Sequence, residues 1–92
     1  MKMAALPLGV IHVTQGAFQA MEETNEPPTI FLRRYLQADW GECSEDDWRA
    51  NDDALTKGNR VHGVYRTARG EELWIITEWD RSVTTILTPD EY

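Results

Sequence analysis

Apolar and polar positions along this chain follow two different periods. From Leu8 to Val13 (LGVIHV) β-branched residues dominate, which predicts a strand ending at Thr14. Thr14 can cap a helix over Gln15 to Glu23. Asn25-Glu26-Pro27-Pro28 ends that helix and opens the next, because proline in a first helical turn lacks only an N–H that has no partner there. Phe31 and Tyr35, and Leu32 and Leu36, then repeat at i and i+4, an apolar stripe that turns Arg33 and Arg34 outward. Asp39-Trp40-Gly41 closes this helix. Ser44 caps a third, with Glu45, Asp46 and Asp47 in the first turn, where the helix dipole favours negative charge, and with Lys57 and Gly58 as its stop. Its clear inward residues are Trp48 and Leu55, so it is expected to lie over the domain as an acidic, largely solvated cover.

Past Gly58 the period drops to two. Arg60 to Thr67, Glu72 to Glu78 and Val83 to Thr88 read as three strands joined by turns at Ala68-Arg69-Gly70-Glu71 and Trp79-Asp80-Arg81-Ser82, an antiparallel meander. The expected fold is α+β, with two to three N-terminal helices packed on a C-terminal three- to four-stranded antiparallel sheet. In the central strand Leu73, Ile75 and Thr77 alternate with Trp74 and Ile76, so both faces carry large apolar groups. A second face showing Trp74, Ile76 and Ile86 would need a cover: the N-terminal segment, a partner, or a second copy in a homodimer.

The 92 residues fit one domain, 1–92, with enough aromatic and aliphatic residues for a core. One cysteine, Cys43, excludes an internal disulfide, and with His12 and His62 it falls short of a zinc site, so no metal is expected. Pro7 and His12 interrupt the short apolar stretch in MKMAALPLGVIHV, from which neither a leader nor a membrane span is read, and a cytoplasmic location is expected. A formal charge of −7 disfavours direct nucleic-acid binding, which rewards a basic surface. No phosphate-binding glycine loop, dinucleotide fingerprint or serine elbow occurs, so no cofactor is expected.

Three features bear on function. The stretch Asp39 to Asp53 holds Asp39, Glu42, Glu45, Asp46, Asp47, Asp52 and Asp53 against the lone Arg49. Such carboxylates can imitate a phosphate track and occupy the basic groove of a nucleic-acid-processing protein, or simply form a solvated helix face. Trp79, in a turn beside Asp80 and Arg81, has the character of an interface anchor, whereas Trp40, Trp48 and Trp74 read as packing residues. Asp46, Asp52, Asp53, Trp79, Asp80 and Arg81 are therefore the candidate binding residues. His62, with Arg60, Arg66 and Arg81, is the candidate catalytic set, a proton donor with cations for a phosphate, which metal-independent RNA cleavage requires. The plain alternative is polar residues on the solvent face of a strand. Cys43, in acidic surroundings, lacks an activating neighbour.

Through DWGECSEDDWRANDDAL, NRVHGVY and LWIITEWDRSVTTILTPDEY the chain resembles a family of small bacterial proteins of similar length found on plasmids and genomic islands, which often carry the label type I restriction endonuclease subunit M. That label does not describe an activity of this chain: a methyltransferase needs a far larger cofactor domain and an Asn/Asp-Pro-Pro-aromatic motif, and neither is present. NRVHGVY followed by LWIITEWDRSVTT is also similar in order to the C-terminal strands of barnase-like ribonucleases and, more loosely, RelE-type toxins. In the barnase pattern a histidine follows the aspartate of the last turn as the acid; here that position is Arg81, which holds its proton at neutral pH. The two resemblances imply either an accessory or inhibitory protein acting by protein–protein contact in the conflict between mobile elements and host defence, or a ribonuclease of the toxin kind.

Overall fold

The computed structural model describes residues 6–92, so the reading of the opening MKMAA lies outside the described residues. The chain runs β1 (Val10–Val13), α1 (Gln15–Glu23), α2 (Pro28–Leu36), α3 (Glu45–Lys57), β2 (Val61–Arg66), β3 (Glu72–Thr77) and β4 (Val83–Leu87), then a short 3-10 turn, Pro89–Glu91. The fold is α+β, with three helices and one four-stranded sheet.

The ends of the helices follow local chemistry. The Thr14 hydroxyl accepts from Ala17 N–H and the Ser44 hydroxyl from Asp47 N–H, at 3.2 and 3.1 Å. Gly58 leaves α3 in the left-handed conformation, at φ 71°. α1 and α2 end without glycine: Asn25 (φ 56°) and Ala38 (φ 59°) take the left-handed position instead. In both, the next N–H reaches back into the last turn, Glu26 to Met21 O and Asp39 to Arg34 O, so the orphan carbonyls are satisfied by a Schellman motif.

The sheet order is β1-β4-β3-β2. The meander β2-β3-β4 is antiparallel as expected, but β1 joins β4 in parallel, pairing Val10 with Val83 and Val13 with Ile86. The sheet is therefore mixed, which corrects the purely antiparallel expectation. No hairpin sets the direction of β1, because three helices and two strands separate it from β4, and a long connection of that kind is what parallel pairing requires.

On the inner face Val61, Tyr65, Leu73, Ile75 and Ile86 meet Ala17, Ala20 and Met21 of α1 and Phe31 and Tyr35 of α2, with Trp40 fully buried among them. A polar thread crosses this core. The Tyr35 hydroxyl meets Thr77 Oγ1 at 2.7 Å, Thr77 meets Thr84 at 2.8 Å, and Thr84 donates to Leu8 O at 2.7 Å. The threonine run at the end of the chain thus places one member, Thr84, inside the core with its hydroxyl satisfied. Burial pushes the Tyr35 phenol well above its ordinary pKa, so the thread stays neutral.

The outer face differs from expectation. Ile86 pairs with Ile75 and belongs to the inner face, and Ile76 is only 3% exposed. Trp74 packs edge-on against His62 and Tyr92, with ring centroids 4.5 and 5.5 Å away. The Trp74–Ile76–Ile86 patch is accordingly not open: the chain's own closing segment, with Tyr92, helps to cover it.

The free edge of β2 is closed by two devices. Gly41 makes a one-residue parallel bridge to Val64, with Val64 N–H donating to Trp40 O and Glu42 N–H to Val64 O. A Cβ on Gly41 would stand 1.9 Å from Val64 O, and its φ is 77°, so only glycine fits. Two residues along β2, the Asn51 side chain acts as a stand-in strand, donating to His62 O at 2.8 Å and accepting from His62 N–H at 3.0 Å. α3 is therefore fixed by Asn51 and Ala54, both buried, while Trp48 and Leu55 are only half-buried.

Candidate interaction surface

The turn between β3 and β4 is built around Arg81. This residue is left-handed, at φ 61°, and its guanidinium donates to three main-chain oxygens: Asn59 O at 2.6 Å, Ala54 O at 2.8 Å and Glu78 O at 3.3 Å. Ala54 O is one of the last carbonyls of α3, so Arg81 both shapes its own turn and ties it to the C-terminal end of the acidic helix. Asp80 locks the other side, accepting from Ser82 N–H at 3.0 Å and Ser82 Oγ at 2.6 Å. These bonds hold the Asp80 carboxyl below its ordinary pKa. Trp79 stands on this fixed turn 68% exposed, the most exposed of the large apolar residues described.

Along α3 the carboxylates divide by role. Glu45 pairs with Arg49, and Asp53 with Lys57, each one turn apart. Asp52 accepts from the indole N–H of buried Trp40 at 2.9 Å, which makes it a support for the core. Asp46 is exposed, with no hydrogen bond or ion pair among the described residues. Asp46 and Asp53, two turns apart, share one face of the helix, whereas Asp52 is rotated away. Asp39, at the approach to α3, is held ionised by the Arg34 guanidinium at 2.8 Å, which pulls its pKa down.

The four residues of the candidate catalytic set do not converge. His62 and Arg60 line one cavity of about 240 Å³ with Cys43, Asp47, Ala50, Asn51 and Val64. Arg66 lies four positions along β2, about 13 Å from His62 at strand spacing, and is taken up by Glu42, Glu72 and Gly70 O. Arg81 faces main-chain carbonyls, as above. Arg60 donates to the Tyr92 hydroxyl at 2.7 Å and stacks over its ring. Burial, and then Arg60, push the His62 pKa down, so its imidazole is neutral at neutral pH; Nε2 is buried without a hydrogen-bond partner. Cys43 donates to Trp40 O, and burial raises its thiol pKa. His12 is exposed on β1.

Among the described residues no group of three or more His, Cys, Asp or Glu is placed to hold a metal ion, and no helix is long and apolar enough to cross a membrane. Two influential residues escaped the sequence reading. Asn51 carried a faint signal, a poor helix former in the middle of a helix, while Glu91 closes a capping-box pattern, Thr88-Pro89-Asp90-Glu91, which signals its bond to Thr88 N–H but not its tie to α1. No family model, curated protein or solved structure matches the chain.

Proposed function

We propose that this chain is a small acidic binding protein that engages a basic surface of another protein through Trp79 and the adjoining face of α3. The observation that carries this reading is Trp79: a large aromatic held out into solvent on a turn that Arg81 clamps to the end of the acidic helix. An anchor fixed before binding loses little entropy on docking, and aromatic anchors of this kind dominate interface energetics. Asp46 and Asp53, with a net charge of −7, supply long-range attraction to a basic partner. The resemblance noted in the sequence suggests that such a partner is a nucleic-acid-processing protein and the role accessory or inhibitory, in conflict between mobile elements and host defence.

The test compares wild type with Trp79→Ala and with Asp46→Lys/Asp53→Lys, as tagged protein incubated in host lysate with and without nuclease. A stoichiometric protein captured by wild type after nuclease treatment, and lost from both variants while circular dichroism shows both still folded, is the expected result. Capture unaffected by both variants would remove this surface from the reading. The shared cavity of His62 and Arg60 favours the ribonuclease as a second reading; RNA recovered without nuclease, and its cleavage abolished by His62→Ala, would put that reading first.

A further inference from the structure

The two edges of the sheet are treated differently. The β2 edge is closed by Gly41 and Asn51, whereas β1 at the other edge is exposed along its whole length. Val10, Ile11 and Val13 are 61, 44 and 36% exposed. Val10 N–H and Thr14 N–H donate to Ser82 O and Ile86 O of the β4 side, so by strand alternation the main-chain groups of Ile11 and Val13 point away from β4, outward. None of the usual guards of an open edge, a lysine, a proline or a bulge, lies within Val10–Val13.

We infer that β1 is a homodimer interface, where two copies of the chain pair their β1 strands antiparallel about a two-fold axis at His12 and join their sheets. The outward groups dictate this register. With the axis at His12, Ile11 of one copy faces the partner's Val13, and each of these two pairs exchanges both hydrogen bonds, four in all; the two His12 residues form the non-bonded pair between them. Ile11 and Val13 lie on the same face of the sheet, since they pair with Thr84 and Ile86, so the strand-to-strand side-chain contacts on that side are the two apolar Ile11–Val13 pairs. That side also opens onto a groove of about 330 Å³ between β1 and α2, lined by Leu8, Ile11, Thr29, Leu32, Arg33 and Leu36.

Charge and area favour a second copy over a lone peptide. Leu8 to Thr14 contains no carboxylate, so two chains of net charge −7 meet here without opposing acids at the strand pair. Arg33, the one charged residue of the groove, has no ion pair among the described residues and lies in the field of an acidic partner. A peptide over four residues covers well under the roughly 1,000 Å² of a specific interface, whereas two-fold pairing buries the edge and the groove twice. This inference is independent of the Trp79 surface, which lies on a different turn.

The experiment is sedimentation equilibrium, with cysteine cross-linking in a Cys43→Ser background. Wild type is expected to be dimeric, and Ile11→Lys/Val13→Lys, folded by circular dichroism, monomeric. His12→Cys should cross-link to its symmetry mate under mild oxidation, since a non-bonded pair brings Cα atoms to about 4.5 Å, within disulfide range. Ile11→Cys and Val13→Cys should cross-link at least tenfold more slowly, because each faces the other and not itself. A wild-type monomer at the highest soluble concentration, a dimer that survives the double lysine variant, or cross-linking that favours position 11 or 13 would each overturn the inference.

Discussion

Ala38 shows how one side chain can be left at odds with its backbone. A left-handed φ of 59° crowds a Cβ against the following carbonyl, at about 1–2 kcal/mol for an ordinary residue, and glycine avoids that cost. The position is nevertheless fixed by the two backward hydrogen bonds that finish α2. Ala38→Gly is expected to raise stability by about 0.5–1 kcal/mol, because the relief of strain is partly offset by the greater freedom of an unfolded glycine and by the lost methyl contact with the core. In a chain of this size that is a rise of about 2–8 °C in Tm, read by calorimetry. Gly41 is the converse case, a site where the approach of Val64 O leaves room for no side chain.

Edges decide the behaviour of the elements. Asn51 replaces a missing strand with one amide, and without it His62 N–H would be left partnerless beneath α3 and His62 C=O would keep only the weak bond from Cys43 Sγ at 3.4 Å. Asn51→Ala is expected to cost about 2 kcal/mol and lower Tm by about 10 °C, whereas Asp53→Ala on the exposed face of the same helix should change stability by no more than about 0.5 kcal/mol. Urea unfolding of the two variants beside wild type measures the contrast. The capping serine, the first-turn acids and the glycine stop of α3 were all legible, since each acts within one turn of its own position. Which side of α3 would face inward was not: Trp48 and Leu55 are the apolar choices, but a helix laid along a strand edge is selected for hydrogen bonding, and Asn51 takes the buried place.

For the whole molecule, closure rests on Glu91. Its carboxylate accepts from the Thr14 hydroxyl, from Gly16 N–H at 3.0 Å and from Thr88 N–H at 2.9 Å, so the last turn is tied to the start of α1 across almost the entire chain. Gly16 makes room, since a Cβ there would lie 2.7 Å from Glu91 Oε2. The bond from Thr14, and then that from Thr88 N–H, pull the Glu91 pKa down from 4.5 to about 2. The folded state therefore holds this group ionised where the unfolded state takes up a proton, and its stabilising share is complete above pH 4.5 and lost as pH falls through about 2. Glu91→Gln should lower stability near neutral pH, and its deficit from wild type should shrink steadily between pH 4.5 and 2 in urea unfolding series.

Taken alone, the sequence determined the elements, the capped starts of α1 and α3 and the glycine stop of α3, the single thiol, the acidic balance and the alternation that gives β3 two apolar faces, because each of these is written in neighbouring residues through helix capping, turn geometry and side-chain period. The tertiary structure decided the rest: the parallel entry of β1, the separation of Arg60, Arg66 and Arg81 into different pairings, the burial of Thr84, the cover over Trp74 and the open edge at Val10–Val13. Each of these depends on which distant groups meet. A lone sequence position carries its own chemistry, but whether an arginine is free for a ligand or spent on a carbonyl is set by what folds against it, and Arg81, claimed by Asn59, Ala54 and Glu78, could be understood only once α3 lay beside its turn.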